Sequence, residues 1–257
     1  MPVKNQMDVN TYLKRIDYDG PVDVSTETLR NLQVAHLLHV PFENLSIHAG
    51  EPIVLDDEAL FAKIVERRRG GFCYEANGLF AALLRALGFD VSMLSAEVAR
   101  GNGGFSPPFD HMALLVNLEN RWLVDVGFGD SFLEPLLLDT TSEQIQGDQS
   151  FKIESEDQYC MVFRRNNDEW EPMYRFTLEP HQFADYEEMC RFHQTSPQSH
   201  FTQNRICSRA TPAGRITLSG MRLIVTTKHG REERLLDSAK EYEEVLRDQF
   251  GIANQKS

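Results

Sequence analysis

Cys73 stands in the run Arg69-Gly70-Gly71-Phe72-Cys73-Tyr74-Glu75-Ala76-Asn77, a glycine-loosened turn that opens straight into an amphipathic helical pattern. A thiol at that position meets the first free N–H groups of a helix, where partial positive charge favours the thiolate, the nucleophilic form. His111 and Asp125 follow on two successive strand-like segments, and these are the residue types such a thiol needs as base and orienter. Asp125 accepts a hydrogen bond from one ring nitrogen of His111 and fixes its tautomer, and the other nitrogen takes the proton of Cys73. An adjacent imidazolium and a helix N-terminus both push a thiol below its usual value of about 8.5. The Cys73 N–H is a donor for the oxyanion of a tetrahedral intermediate. Taken singly, a helical cysteine, a histidine at a strand start and an aspartate after an apolar strand are more often structural. Their joint occurrence behind a glycine-rich helix entry is what points to nucleophilic catalysis.

Strand register offers a test. Asn117-Leu118-Glu119-Asn120 separates the two segments. A loop centred on Leu118 pairs His111 with Asp125; one centred on Glu119 pairs His111 with Gly127 and leaves Asp125 two places along. Side chains alternate faces at every residue, so both registers keep His111 and Asp125 on one face. A loop of two or four residues would split them.

The elements that must position these groups are legible from period. Ser25 caps a helix in which Leu29, Leu32, His36 and Val40 recur, with Pro41 at its end. A second helix covers 56–68, with Leu60, Phe61 and Ile64 on one side, and a third begins near Cys73, buries Ala76, Phe80, Leu83, Leu84 and Leu87, and stops at Gly88. From Val91 the period becomes two. Strands are predicted at 91–98, 111–117, 121–126, 151–153, 159–164 and 171–176, which suggests an antiparallel barrel-like sheet. A helical stretch after Asp185 leads through Ser196-Pro197-Gln198-Ser199 to strands at 205–208, 215–218 and 221–227, and a last helix covers 238–250.

Composition narrows the function. The chain has 257 residues, 41% hydrophobic and 25% charged, as in an ordinary globular protein. A formal net charge of −13 argues against nucleic-acid binding, although a local cluster such as Arg67, Arg68 and Arg69 can still hold an anion. No stretch approaches the roughly 18–20 apolar residues of a membrane span, and the N-terminus shows no apolar signal region. Cys73, Cys160, Cys190 and Cys207 lack any CxxC spacing, so no metal site is expected and the thiols read as reduced, in a cytoplasmic protein. His36, on an apolar helical stripe, reads as a core histidine.

These residues resemble the arylamine N-acetyltransferases. Four blocks carry the likeness: Tyr12-Leu13-Lys14-Arg15-Ile16 with the helix ending His36-Leu37-Leu38-His39-Val40-Pro41-Phe42-Glu43-Asn44-Leu45; the nucleophile block Arg69–Glu75; His111 with Val124-Asp125-Val126-Gly127-Phe128-Gly129; and Thr195-Ser196-Pro197-Gln198-Ser199-His200-Phe201, continuing to Cys207-Ser208. The resemblance implies an α+β fold with a cysteine-protease-like catalytic core: a helical bundle (1–90), an antiparallel β-barrel (91–195) and an α/β lid (196–257). It implies a Cys73-His111-Asp125 triad and ping-pong transfer of acetyl from acetyl-coenzyme A to an arylamine, arylhydrazine or arylhydroxylamine through acetyl-Cys73. Phe128, Gly127 and Gly129 are then acceptor contacts, Gly104 and Phe105 coenzyme contacts, and Glu43 with Arg69 a structural pair that buttresses the nucleophile turn. The partners implied are small molecules, with neither nucleic acid nor membrane, on a monomer or small homo-oligomer. The loop 101–110 is longer than in vertebrate members, and their extended C-terminal tail is missing, which points to a bacterial-type member. Two other readings share these residues: a papain- or transglutaminase-like amide hydrolase, and a binding protein on an inactivated scaffold.

Overall fold

The computed structural model describes residues 7–101 and 103–253. Five helices come first: α1 (Val9–Arg15), α2 (Thr26–His39), α3 (Leu45–Ala49), α4 (Asp57–Phe61) and α5 (Cys73–Ala86). Ser25 caps α2 as expected, its side chain accepting from the Thr28 N–H. The helix expected over 56–68 is capped by Asp56 but loosens after Phe61 into a π-helical turn, Ala62–Glu66. α5 begins at Cys73, and its buried face forms the centre of the largest core cluster.

Eight strands build the central sheet: β2 (Asp90–Val98), β3 (His111–Asn117), β4 (Arg121–Val124), β5 (Leu136–Leu137), β6 (Gln144–Gln146), β7 (Gln149–Glu156), β8 (Tyr159–Asn166) and β9 (Glu169–His181), in the order β5-β4-β3-β2-β9-β8-β7-β6. Every pairing is antiparallel, and the sheet curls into a nearly closed barrel. Its two end strands meet through side chains. Gln144 accepts from the Leu137 N–H at 2.8 Å and donates to the Leu137 carbonyl at 3.0 Å. Gln146 accepts from the N–H groups of Leu133 and Glu134, both at 2.9 Å. Two glutamines thus satisfy edge groups that a further ladder would otherwise have to pair.

After the barrel come α6 (Phe183–Thr195) and α7 (His200–Gln203), then β10 (Ile206–Thr211), β11 (Gly214–Ser219), β12 (Arg222–Thr227), β13 (Gly230–Leu235) and α8 (Ala239–Phe250). β10–β13 form a meander whose first member pairs with a distant two-residue strand, β1 (Phe42–Glu43), through Phe42 opposite Ser208 and Glu43 opposite Cys207. No helix among the described residues is long and apolar enough to cross a membrane.

His36 is the core histidine the sequence suggested. It is fully buried, with its ring edge-on to Phe80 at 5.2 Å and Nδ1 2.9 Å from the Tyr12 hydroxyl. Burial pushes the Tyr12 phenol up, so it keeps its proton and donates to the imidazole. Burial, with Arg15 and His39 adding to it, pushes His36 down to about 3. Below its ordinary value of 6.5, the unfolded chain therefore takes up a proton that the native state refuses. Stability held above pH 6.5 is lost as pH falls toward 3, by roughly 3–5 kcal/mol from this group. His36→Gln, which keeps an acceptor for Tyr12, is expected to flatten that limb in denaturation curves taken across this range. An unchanged slope would assign the acid sensitivity elsewhere.

Candidate active site

A cavity of about 680 Å³ is lined by residues from α5, the β3–β4 region and α6–α7. The turn that presents Cys73 is held from several sides. The Glu43 carboxylate accepts from Arg69 Nε at 3.0 Å and Nη2 at 3.2 Å, and also from the N–H groups of Leu45 (2.7 Å) and Gly70 (3.3 Å). This is the structural pair expected from the sequence. A Cβ on Gly70 would lie 1.9 Å from the Pro41 carbonyl oxygen, so only glycine lets the turn pass this close. Glu75 closes the helix entry: it accepts from the Phe72 N–H at 3.1 Å and pairs with the buried Lys63 ammonium at 2.6 Å. Burial pushes the Glu75 carboxyl up, and the Lys63 charge opposes it.

The β3–β4 hairpin pairs Leu114 with Val124 and Asn117 with Arg121, so its three-residue loop is centred on Glu119. This is the second of the two permitted registers. His111 and Asp125 do share a face, and Nε2 of His111 lies 2.8 Å from Oδ2 of Asp125. Both are buried, at 3% and 1% exposure. The carboxylate also accepts at Oδ1 from Asn77 Nδ2 and from the Gly127 N–H, each at 2.9 Å. Because the carboxylate accepts, Nε2 carries the ring proton, and Nδ1 is the basic nitrogen of the neutral imidazole.

Asn77 is the site residue that sequence reasoning missed. It lies four residues after Cys73, hence on the same helical face, and is fully buried. Besides Asp125, its amide donates to the Met112 carbonyl at 2.6 Å and accepts from the Val126 N–H at 2.8 Å. One side chain therefore fixes α5 against β3 and the segment that follows β4. A polar residue one turn beyond Cys73 on a buried face was the available signal.

Cys73 and His111 line the same cavity, and Cys73 is 3% exposed. The sequence expectation of a lowered thiol needs correcting for the free sulfur. Burial pushes the Cys73 thiol up, the Met112 backbone N–H opposes this, and the charges of Asp110, Cys190 and Asp125 add to the rise. Removing the sulfur from water outweighs the helix terminus. An isolated thiolate is disfavoured here, so ionisation requires a cation beside it. All four cysteines are free and buried.

Of the other expected contacts, Gly127 and Phe128 line the cavity, and the Phe128 ring stands edge-on to His111 at 5.2 Å. A Cβ on Gly127 would meet Cys73 Cα at 2.8 Å and Asn77 Nδ2 at 2.7 Å. Gly127→Ala is therefore expected to wedge the hairpin off α5, costing about 1–3 kcal/mol and lowering activity with it. Thermal melts and activity assays on this variant check the point; wild-type values in both would remove the close-approach argument. Gly129, at φ +91°, packs beside Phe42, itself a lining residue. Gly104 and Phe105 sit differently. The Gly104 carbonyl accepts from the Arg100 N–H at 2.7 Å, and the Phe105 ring lies 4.3 Å from the Arg175 guanidinium. On this stretch the cavity lining comes from Arg100, Ser106 and Pro107.

The facing side carries a second histidine–carboxylate contact that the sequence did not reveal. His193 Nε2 is 3.2 Å from Asp110 Oδ1, and its Nδ1 is 3.1 Å from the Ser199 hydroxyl. Burial pushes Asp110 up, but the His193 hydrogen bond and charge hold its carboxyl below the ordinary value. This ion-pair contact sets His193, on α6, against the residue that precedes β3.

A family model described as N-acetyltransferase matches residues 25–257. The arylamine N-acetyltransferase of Mycolicibacterium smegmatis is 36% identical over 253 residues, covering 96% of this chain and 92% of the relative. The chain belongs to the arylamine N-acetyltransferase family. The solved structure of the Mycobacterium marinum arylamine N-acetyltransferase in complex with CoA superposes on this acetyltransferase with a TM-score of 0.89 at 33% identity, covering 95% and 93% of the two chains. The α+β fold expected from the sequence is thus the fold of the family. A proansamycin X synthase from Amycolatopsis mediterranei is also 35% identical, over 89% of this acetyltransferase and 91% of that chain. Overall identity therefore does not by itself specify the acceptor.

Proposed function

We propose that the enzyme moves an acetyl group from acetyl-coenzyme A to the nitrogen of an arylamine or arylhydrazine, in two half-reactions through acetyl-Cys73. The observation that carries this reading is a buried sulfur sharing one cavity with an imidazole whose far nitrogen is bonded to Asp125. In the first half-reaction Nδ1 of His111 takes the Cys73 proton as sulfur attacks the thioester carbonyl. The imidazolium so formed is the neighbouring cation that the buried thiolate requires, and Asp125 stabilises it. A C–S bond to Cys73 forms, the bond to the coenzyme sulfur breaks, and the departing sulfur takes the proton from His111. In the second, the amine attacks acetyl-Cys73, a C–N bond forms, the C–S bond breaks, and His111 carries the amine proton to the Cys73 sulfur.

The cavity suits these substrates. Phe42, Phe128, Phe192 and Phe201 offer ring faces and edges to an aromatic acceptor, and Arg100, Gln198, Ser199 and His200 offer donors to a polar donor molecule. The turn holding Gly104 and Phe105 continues into the lining residue Ser106, which supports a coenzyme bound on that side. Family membership favours acyl transfer over amide hydrolysis. Intact mass spectrometry after incubation with acetyl-coenzyme A, without acceptor, is expected to show one added acetyl group on Cys73, discharged by an aromatic amine. A protein that turns over acceptor while never carrying acetyl would overturn the covalent route.

A further inference from the structure

A second cavity, about 220 Å³, shares no lining residue with the first. It lies where α1, the end of α2 and the turn after the π-helix meet β10 and α8. Arg15, Arg68, Arg209, Arg247 and His39 line it, and Asp248 is the only carboxylate among its described lining residues. For a chain of net charge −13, four guanidiniums around one small space are a local inversion of sign.

Of the four arginines, only Arg247 is paired with an acid among the described residues. Arg15, 4% exposed, donates to the carbonyls of Ile64 (2.9 Å), His39 (2.6 Å) and Arg69 (3.1 Å). Arg209 donates to the carbonyls of Leu38 and Gln249. Asp248 is engaged by Arg247 at 2.8 Å. Arg68 has no hydrogen bond or ion pair among the described residues, although its backbone is left-handed at φ +53°, a conformation that favours glycine. Burial, followed by the charges of Arg68 and Arg209, pulls Arg15 down to about 10, so these guanidiniums repel one another. The helix ends that Arg15 and Arg209 cap carry about half a negative charge each, which leaves an excess of positive charge in the cavity. At about 30 Å³ per water, the space takes several waters or one tetrahedral oxyanion with part of its substituent.

We propose that this cavity is a phosphate-binding site, taking inorganic phosphate or the phosphate of a nucleotide between the Arg68, Arg209 and Arg247 forks. The Arg68 fork is free to pair with such an oxyanion through two parallel hydrogen bonds, Arg209 and Arg247 add charge beside it, and the site needs no residue of the acetyl-transfer cavity. Occupancy ties β10 and α8 to the helices that lead into the Cys73 turn.

The test titrates inorganic phosphate against the full chain at constant ionic strength, with chloride as the balancing anion, and reads thermal midpoint and phosphorus NMR linewidth. Phosphate is expected to raise the midpoint where chloride does not. Arg68→Gly removes a guanidinium while relieving left-handed backbone, so it is expected to fold at least as well as wild type and to bind phosphate at least tenfold more weakly. Asp248→Asn is expected to tighten binding severalfold, and Arg100→Ala, in the other cavity, to leave it unchanged. A parallel titration with adenosine 3′,5′-bisphosphate separates the sources: Arg68-dependent binding tighter than that of inorganic phosphate assigns the site to a nucleotide, and equal binding assigns it to the bare ion. A phosphate response no larger than that of chloride, coupled with no Arg68-dependent nucleotide binding, overturns the proposal. A response that Arg100→Ala abolishes and Arg68→Gly spares overturns it as well.

Discussion

Cys73→Ser is expected to lower acetyl transfer by at least about 10⁴-fold while leaving the fold intact. Oxygen for sulfur changes little volume at a buried position, so the melting temperature should move only slightly. Chemistry fails for a different reason. The cavity penalises an anion at this position by burial, and a hydroxyl gives up its proton far less readily than a thiol. His111 can relieve that penalty for sulfur by becoming its counter-ion. The same logic gives His111→Gln a distinct signature. On the proposed mechanism the alkylation rate of Cys73 in the wild type should already be substantial at neutral pH, because His111 takes the thiol proton as the sulfur reacts. In His111→Gln the thiolate loses its counter-ion, and alkylation should rise only above the ordinary thiol range, because burial pushes this group upward. Retention of more than a few per cent of activity by the serine variant would place the nucleophile on another thiol.

Asn77→Ala is expected to cost about 3–5 kcal/mol in stability and about two orders of magnitude in kcat. Truncation strands the Met112 carbonyl and the Val126 N–H, both partnered by this amide, and removes one of the three donors to Asp125. Each orphaned buried group costs about 1–3 kcal/mol. The kinetic loss follows from the carboxylate, which keeps His111 and Gly127 but loses its tie to the helix bearing Cys73. Asn77→Asp should be worse than alanine, since it sets a second carboxylate against Asp125. Urea denaturation and steady-state kinetics on both variants check the pair of effects; a stability change below about 0.5 kcal/mol would show that the clamp is dispensable.

The sequence exposed what is carried by period and by chemically scarce residues. α2, α5 and α8 were legible because apolar residues recur every three or four positions, α2 with Ser25 as its cap. The hairpin parity argument placed His111 and Asp125 on one face before their distance was known. Short or fully exposed elements left no such trace. β1 and β5 have two residues each, and β13, Gly-Arg-Glu-Glu-Arg-Leu, is exposed along its length, so no buried face marks it. β9 runs to His181, five residues beyond the expected end. Pro180 reads as a strand breaker, but the register slips between Leu94 and Ala96 and accommodates it. The Asp110–His193 contact joins residues far apart in sequence, and neither stands in a motif. The sequence also pointed to a lowered thiol, because the helix terminus and imidazole are visible in it and the loss of water around the sulfur is not.

The two-residue strand Phe42–Glu43 bears on how the enzyme comes into being. It bridges to Gly71 on one side and is zipped to Cys207 and Ser208 on the other, while Asn44 exchanges hydrogen bonds with Ile206 and its side-chain amide donates to the Asn204 carbonyl. The turn bearing Cys73 is therefore braced by residues made more than 130 positions later. A nascent chain emerging from the ribosome would hold its thiol in an unfinished frame, chemically silent until synthesis is nearly complete. Premature stops before position 206 should accordingly yield inert protein rather than a weakly active fragment.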